Sequence, residues 1–355
     1  MSACTLSYVR TSQPVSAYDA SPQARDGRFA NPRPRPPMGL AQGVRVWWDF
    51  MFNKPRGTTP PLPTPVDPLT AGALAAAPDR SLWRLGHSTL LLKLRGGFWI
   101  TDPVFAERAS PVQFAGPRRW HAPPIALDAL PPLRGVVLSH DHYDHLDRAS
   151  IEALATRADV FLAPLGVGDR LVAWGVPRGK VRQFDWWQAA EIDGLRFTAT
   201  PAQHFSGRGL LDGDRTLWAS WVIEDPARTD DVTGLKLYFS GDTGYFDGFS
   251  EIGRRLGPFD VAAIETGAYD PRWAFVHMQP EQTVQAHLDL GARTLLPIHN
   301  GTFDLAMHAW DDPFERVSAA AAARGVPLST PRMGERVDLA APGPTQAWWR
   351  EMRRE

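Results

Sequence analysis

The chain has 355 residues, of which 43% are hydrophobic, so it is long enough to bury a large core in one domain or in two closely packed halves. Lysine and arginine (38) nearly balance aspartate and glutamate (39), and the net charge of −1 excludes a chain-wide field that would attract nucleic acid or anionic lipid. The single cysteine, Cys4, excludes an intrachain disulfide and a metal site built from several thiolates, so metal ligands must be histidines and carboxylates.

The first residues bear on where the protein resides. The sequence has neither a run of about eighteen apolar residues nor a basic segment followed by an apolar stretch, so a cytoplasmic location is the default expectation. The alternative is a location at the periphery of a membrane. The Met1–Cys4 stretch ends like a bacterial lipoprotein cleavage box, and a lipoprotein is expected if a signal peptide precedes Cys4.

Two proline clusters, at 32–37 and 60–68, set the beginning of the chain apart and predict extended arms. Between them, the aromatic segment 43–52 predicts a helix with one strongly apolar side. This segment either packs on the main domain as a brace or contacts lipid as an interfacial element. The expected division is an N-terminal arm (1–78), a main domain (79–340) and a C-terminal tail (341–355).

From Ser81 onward, short apolar runs alternate with helical patterns, which predicts an α/β domain with two sheets. The runs with strand character are Leu82–Leu85, Thr89–Leu94, Phe98–Thr101, Gly135–Ser139, Val160–Ala163, Arg196–Thr200, Leu217–Ile223, Leu235–Phe239, Val261–Ile264 and Thr294–Ile298. The helical patterns are Arg148–Arg157, Gly166–Trp174, Pro280–Leu290 and Asp312–Arg324. Strand-rich stretches followed by strand–helix units occur twice, which is consistent with two similar halves.

The strongest chemical signal is a Ser-His-Asp-His-Tyr-Asp-His run at 139–145, directly after an apolar strand. A strand end followed by a tight loop lets His140 and His142 point one way, while Asp144 and His145 face a second position. Imidazole and carboxylate ligands suit Zn²⁺, Fe or Mn²⁺, and the lack of thiolates argues against a closed structural zinc. The run therefore predicts an open, catalytic site with places for two metal ions.

Three further ligand candidates, His204, Asp242 and His299, each follow a predicted strand. Four ligands are too few for two ions, and the missing ones are expected at other strand ends that face the same crevice. Any one of the three alone is as readily a buried structural residue, but their common placement favours metal binding. The sequence thus predicts two divalent ions, with Zn²⁺ as the first choice and Mn²⁺ or Fe as alternatives.

Over about residues 80–330 these motifs resemble the metallo-β-lactamase superfamily, and within it the N-acyl-phosphatidylethanolamine-hydrolysing phospholipase D family and its bacterial relatives. The resemblance implies an αββα sandwich, in which two mixed β-sheets are flanked by helices, and a homodimer. The segments that carry it, beside the ligand run, are Leu85–Thr89, Thr101–Phe105, Phe239–Tyr245, His277–Glu281, Pro297–Phe303 and the arm segment Arg28–Pro32.

The resemblance also implies how the ligands are shared between the ions. One ion is bound by His140, His142 and His204, the other by Asp144, His145 and His299, and Asp242 and a hydroxide bridge both. One residue departs from the pattern: Asn300 stands where these relatives typically carry tryptophan. This difference bears on substrate contacts and leaves the ligands intact.

The catalytic candidates are Asp144, Asp242 and His277. The resemblance places His277 near the metals, for substrate binding or proton delivery; the alternative is a structural histidine that caps the following helix. Asp102 follows a strand and could accept the second ring N–H of a metal-bound histidine, unless it only forms an Asp-Pro turn. His87 is either a residue that supports the ligands in the same way or a satisfied core histidine.

The function that the resemblance implies is that of a phosphodiesterase of the phospholipase D type. It would cleave N-acyl phosphatidylethanolamine or a related glycerophospholipid into phosphatidic acid and an N-acyl ethanolamine. A lactonase or other ester hydrolase of the same fold is the alternative, and a non-catalytic metal-binding scaffold is disfavoured by the complete ligand set. No nucleic acid partner is expected, because no basic stripe is present. Peripheral membrane contact through residues 43–52 is a further expectation.

Overall fold

Two mixed β-sheets pack face to face, with helices on their outer sides. The computed structural model describes residues 18–36, 39–227, 233–343 and 347–353, and Cys4 with its cleavage-box pattern lies outside these described residues. The arrangement is an αββα sandwich, as the family resemblance implies, and it confirms the α/β domain with two sheets that the sequence pattern predicts.

The first sheet has seven strands in the spatial order β15-β3-β4-β5-β6-β7-β8. Their bounds are β3 Ser81–Gly86, β4 Thr89–Leu94, β5 Gly97–Thr101, β6 Leu133–Val137, β7 Ala158–Pro164, β8 Val181–Phe184 and β15 Arg336–Asp338. Pairing is antiparallel from β15 to β5 and parallel from β5 to β8.

The second sheet has six strands in the order β14-β13-β12-β11-β10-β9. Their bounds are β9 Ala189–Ile192, β10 Leu195–Thr200, β11 Ser220–Asp225, β12 Leu235–Phe239, β13 Phe259–Glu265 and β14 Ala292–Ile298. Strands β9 to β12 pair antiparallel, whereas β12, β13 and β14 are parallel. A short hairpin of β1 Ala24–Arg25 and β2 Arg28–Phe29 precedes both sheets.

Eight α-helices connect or cover these strands in the described residues. They are α1 Leu40–Phe52, α2 Ala71–Ala76, α3 Arg148–Leu154, α4 Val167–Ala173, α5 Gly248–Leu256, α6 Pro280–Leu290, α7 Asp312–Arg324 and α8 Trp348–Glu351. Helices α6 and α7 have the predicted bounds because proline occupies the first turn of each, and Gly291 and Gly325 end them in the left-handed conformation. No helix in the described part of the chain is long and apolar enough to cross a membrane.

The period of two along the strands separates the inner core from the outer cores. Trp99 and Val137 face the second sheet, whereas their neighbours Ile100 and Val136 face the helices that cover the first sheet. Because both faces are covered, these strands read as continuous apolar runs. At the end of the chain, Trp348 and Trp349 of α8 are buried against α7.

The N-terminal arm lies against the loops that follow the strands of the second sheet. Asn31 bonds both backbone groups of His204, accepting from its N–H at 2.9 Å and donating to its carbonyl at 2.6 Å. Further along, Asp49 of α1 pairs with Arg272 at 3.0 Å. The arm therefore contacts the loop that carries a predicted metal ligand.

Candidate metal centre

The seven predicted metal ligands meet at one edge of the sandwich, where the carboxyl ends of β6, β10, β12 and β14 lie together. In parallel strands these ends face the same crevice, so residues far apart in sequence become neighbours. Together with His87, which was not a predicted ligand, the structure places these side chains in two adjacent groups that could each hold a metal ion. The members are His140, His142, His204 and Asp242 in the first group, and His87, Asp144, His145 and His299 in the second.

The first group consists of three imidazoles and one carboxylate. Nδ1 of His142 lies 2.9 Å from Nε2 of His140 and 3.2 Å from Nε2 of His204. Oδ2 of Asp242 lies 3.7 Å from both of those Nε2 atoms. Three ring nitrogens and an oxygen thus surround one point.

The second group is arranged around Asp144. Its Oδ2 atom lies 3.5 Å from Nε2 of His145 and 3.4 Å from Nε2 of His299. Asp242 reaches this group too, with Oδ1 at 3.0 Å from His145 Nε2 and Oδ2 at 3.0 Å from His299 Nε2. Asp242 therefore stands between the two groups, in the position that a bridging ligand requires.

Unpartnered atoms at the centre test whether a metal fits. Nε2 of His145, Nε2 of His299 and Oδ1 of Asp242 are buried, and none has a hydrogen-bond partner in the described structure. Leaving buried polar atoms unpaired costs free energy, and a cation bound between them removes that cost. Because the donors are imidazole and carboxylate, they fit Zn²⁺, Fe or Mn²⁺.

The electrostatics of the two carboxylates favour cation binding. Burial alone would raise the pKa of Asp144 and Asp242, but the charge of the adjacent His145, together with the other imidazoles around them, outweighs it. The pKa of each therefore lies well below its ordinary value, and both groups are ionised at neutral pH.

The imidazoles differ from one another. Burial holds the pKa of His140 and His204 well below the ordinary value, so their rings are neutral and their lone pairs are available. For His299, burial lowers the pKa, but Asp242 and Asp144 raise it more, to about 9. Without a metal, His299 is therefore protonated at neutral pH, and its positive charge offsets the negative charge of the two carboxylates. A bound cation would supply that positive charge instead.

Hydrogen bonds from outside the groups fix the orientation of the ligand rings. Asp102 follows β5 and is fully buried; Oδ2 accepts from Nδ1 of His145 at 2.7 Å, and Oδ1 accepts from the backbone of Ser139 at 2.7 Å. On the other side, Nδ1 of His204 donates to the carbonyl of Val276 at 3.0 Å. These contacts keep the Nε2 lone pairs directed at the centre.

His277 lies beside both groups, with its ring centre 5.1 Å from that of His204 and 5.2 Å from that of His299. Its Nδ1 atom is 3.1 Å from Oε2 of Glu265, whose Oε1 accepts from the backbone of Met278 at 2.6 Å. Glu265 ends β13 and is fully buried, and burial raises its pKa. The sequence reasoning missed this residue, although its place at a strand end matches that of the ligands.

Asn300, the departure from the family pattern, is buried beneath His299. Its side chain donates to the carbonyl of Ile298 at 3.0 Å, and the fully buried Arg84 donates to its Oδ1 at 3.0 Å and to its carbonyl at 2.6 Å. Asn300 does not line the large cavity described below. The substitution therefore changes the packing under a ligand rather than the wall that a substrate would touch.

A cavity of about 780 Å³ opens onto both ligand groups. Predicted ligands form its floor, and apolar residues form much of its wall. The wall includes Phe205, Trp273, Phe275, Val276 and Leu305, and the N-terminal arm closes it with Arg35, Pro36 and Gln42.

Metal binding should be visible as a gain in stability. If Zn²⁺ binds only the folded protein, a concentration 100 times Kd adds about 2.7 kcal/mol to the free energy of unfolding. We expect chelator-treated protein to unfold at a lower temperature than protein supplied with Zn²⁺, as measured by scanning calorimetry. Mg²⁺ is the control, because it prefers all-oxygen octahedral sites. Equal effects of both ions would contradict the prediction.

Comparison with known proteins agrees with this geometry. The model of the beta-lactamase superfamily domain matches residues 99–300. An uncharacterized protein of Mycobacterium tuberculosis is 41% identical over 338 residues, which are 94% of this chain and 88% of that protein. The N-acyl-phosphatidylethanolamine-hydrolyzing phospholipase D 1 of Caenorhabditis elegans is 39% identical over 233 residues, which are 62% of this chain and 64% of the worm protein.

Among solved structures, a metallo hydrolase of the archaeon Ignicoccus hospitalis has the same fold. It covers 72% of this chain and 97% of its own, with a TM-score of 0.54 and 23% identity. At this identity the likeness supports the sandwich architecture alone.

Proposed function

Because this chain belongs to the metallo-β-lactamase superfamily of metal-dependent hydrolases, we propose that it is a phosphodiesterase of the phospholipase D type. The proposed substrate is N-acyl phosphatidylethanolamine or a related glycerophospholipid. The observation that carries the proposal is the apolar cavity that ends on the two ligand groups. The similarity to the worm phospholipase D supports it.

The cavity fits an amphiphilic phosphodiester. Its volume of about 780 Å³ is in the range of pockets that enclose most of a small-molecule ligand, and Phe205, Trp273 and Phe275 offer apolar surface to an acyl chain. Arg35 in the same wall adds a positive charge that suits an anionic headgroup. A small polar lactone has no acyl chain to pack against this apolar wall, so the wall favours a phospholipid substrate over a lactone.

The ligand groups would hold two divalent ions, one in each group, with Asp242 in contact with both. Such ions lower the pKa of a bound water towards neutrality and offset negative charge that develops on phosphoryl oxygens. The chain's own contribution is to hold the donors in place through Asp102 and the carbonyl of Val276.

Hydrolysis adds the hydroxyl of one water to phosphorus and breaks the bond from phosphorus to the ethanolamine oxygen. The leaving oxygen needs a proton, and His277 lines the cavity where that oxygen would lie. Since Glu265 occupies Nδ1 of His277, the Nε2 atom is the one left for the substrate. We assign proton delivery to Nε2, with Glu265 as the residue that positions the ring.

The exposed face of α1 supports contact with a lipid surface. Val44, Trp48 and Phe52 recur every four residues and are 56%, 54% and 60% exposed, while Gln42 of the same helix lines the cavity. An apolar helix face beside the entrance would let the substrate pass from the membrane into the site. This placement supports the membrane contact proposed for residues 43–52.

Loss of the aromatic pair on α1 should separate lipid binding from chemistry. We expect the Trp48→Ser, Phe52→Ser variant to bind anionic lipid vesicles at least about tenfold more weakly, because each aromatic contributes more than about 1.5 kcal/mol when buried. Vesicle co-sedimentation measures the binding. Turnover of soluble bis(p-nitrophenyl) phosphate should not change, and Leu288→Ser, at an exposed position on α6, is the matched control. Unchanged vesicle binding would refute membrane contact through this helix.

The proposed function is tested by a substrate panel. Protein reconstituted separately with Zn²⁺, Mn²⁺ and Fe²⁺ is assayed against N-acyl phosphatidylethanolamine, bis(p-nitrophenyl) phosphate and a set of lactones, with His142→Ala as the inactive control. Release of phosphatidic acid and N-acyl ethanolamine supports the proposal. Turnover of lactones alone would replace it with the lactonase function.

A further inference from the structure

The turn between β3 and β4 brings a third imidazole, that of His87, to the second ligand group. His87 is 1% exposed, and its Nε2 atom lies 3.0 Å from Oδ2 of Asp144. Its ring centre is 4.0 Å from that of His299 and 5.4 Å from that of His145. Ligand atoms of all four residues lie within 4.8 Å of one another.

The backbone holds this ring in place at a conformational cost. His87 has a φ of 37°, which lies in the left-handed region that non-glycine residues rarely adopt. Its N–H donates to Oγ1 of Thr302 at 2.7 Å, and its carbonyl accepts from the N–H of His299 at 3.1 Å. Two backbone bonds thus tie the His87 turn to the segment that carries a predicted ligand.

A hydrogen bond to Asp144 does not account for this arrangement. Nε2 atoms of His87, His145 and His299 converge on the single oxygen Asp144 Oδ2, at 3.0, 3.5 and 3.4 Å. Of the three, only His87 is in hydrogen-bonding geometry with that oxygen; the Nε2 atoms of His145 and His299 have no hydrogen-bond partner in the described residues, so hydrogen bonding leaves their approach to Asp144 unexplained. In addition, Nδ1 of His87 has no partner in the described residues, so Asp144 is the polar contact that its ring makes there.

The spacing matches that of ligands on one ion. Donors bound to zinc at about 2.0–2.2 Å lie about 3.0–3.5 Å apart when they are neighbours around the ion. The distances from Asp144 Oδ2 to the three ring nitrogens all fall in that interval. On this basis, and resting on the two-metal centre proposed above, we propose that His87 binds the second ion directly through Nε2.

With His87 as a further ligand, the two ions would differ in their number of protein ligands. The first ion would have the four residues of its group, one of which is Asp242. The second ion would have five, namely His87, Asp144, His145, His299 and the shared Asp242. An ion with fewer protein ligands keeps more positions open for water or substrate. The second ion is therefore the one retained more tightly, and the first is the one that exchanges with solution.

The test compares two substitutions of buried histidines by glutamine. His87→Gln keeps an N–H donor that can reach Asp144 but removes the imidazole ligand, and His121→Gln alters a buried histidine outside both groups, bonded to Thr302. We expect His87→Gln to bind one of two Co²⁺ or Zn²⁺ ions at least about 100-fold more weakly, more than the loss of a mere supporting partner costs. His121→Gln should bind both ions as the unaltered protein does. Calorimetric titration and the visible spectrum of bound Co²⁺ give the readout.

A second measurement needs no substitution. In protein with ¹⁵N-labelled histidine and bound ¹¹³Cd²⁺, a scalar coupling between cadmium and Nε2 of His87 supports direct ligation. Two bound ions without that coupling, or an unchanged second ion in His87→Gln, would overturn the role of His87 and leave the proposed function standing. Failure of the unaltered protein to bind any of these metals would overturn both.

Discussion

Replacing Asp242 by alanine should abolish tight binding of both metal ions and lower phosphodiesterase activity by more than about 10³-fold, since even a single electrostatic stabiliser is often worth about 10²–10³. The reason is the central place of this carboxylate. Its oxygens lie 3.0 Å from the ring nitrogens of His145 and His299 and 3.7 Å from those of His140 and His204. Elemental analysis of the purified variant and kcat/KM with N-acyl phosphatidylethanolamine measure the two effects.

A buried aspartate away from the centre separates this effect from general destabilisation. Asp185 is 7% exposed, and its hydrogen-bond partners are Gln23, Trp186 and Gln188, none of which is a predicted ligand. Asp185→Ala is expected to lose some stability and to keep both ions. If Asp242→Ala retained two ions and a substantial part of its activity, the bridging role assigned to Asp242 would be wrong.

The convergence of the predicted ligands could be inferred from the sequence because histidine and aspartate residues stand at strand ends. His140, His204, Asp242 and His299 each come shortly after an apolar run, and parallel strands deliver such residues to one edge. The bounds of helices α6 and α7 could also be predicted from the sequence, because proline marks the start and glycine the end of each helix. Strand ends and helix ends are both specified by residues only a few positions away in the sequence.

Other elements depend on tertiary context that local patterns do not contain. The strand predicted at Leu217–Ile223 begins at Ser220 instead, because residues 217–219 form a buried loop. Helix α5 was not predicted, since it contains Gly253, a poor helix former; a Cβ there would lie 2.5 Å from the carbonyl oxygen of Asp289 in α6. The edge strands β8 and β9 are short and half exposed, and so lack a clear apolar alternation.

Within the site, the predicted ligands could be identified from local sequence, whereas the residues that contact and orient them could not. The contact of Glu265 with His277 and that of His87 with Asp144 follow from how β13 and the β3–β4 turn pack, and no spacing in the sequence specifies either contact. Asn300 was expected to bear on the substrate, but the backbone turn after His299 directs it inward to Arg84. The sequence therefore predicts which residue types stand at the strand ends, whereas the direction in which each side chain points depends on the assembled fold.

Removal of the His277 imidazole should slow cleavage of N-acyl phosphatidylethanolamine by about 10²–10⁴-fold, the range for loss of a general acid. The metal content should not change, because Glu265 and not a ligand holds the ring at Nδ1. The leaving alkoxide of an ethanolamine is strongly basic and needs a proton in the transition state. The leaving group of bis(p-nitrophenyl) phosphate is weakly basic and departs without one.

This difference makes the assignment of His277 testable within one variant. His277→Ala should lose most of its activity towards the phospholipid and little towards the nitrophenyl diester, and Glu265→Gln should show the same selectivity with a smaller loss. Such selectivity distinguishes proton delivery from substrate binding, because a binding residue would affect KM and not respond to the basicity of the leaving group. Equal losses with both substrates would show that His277 does not supply the proton, and would restrict it to holding the substrate phosphate.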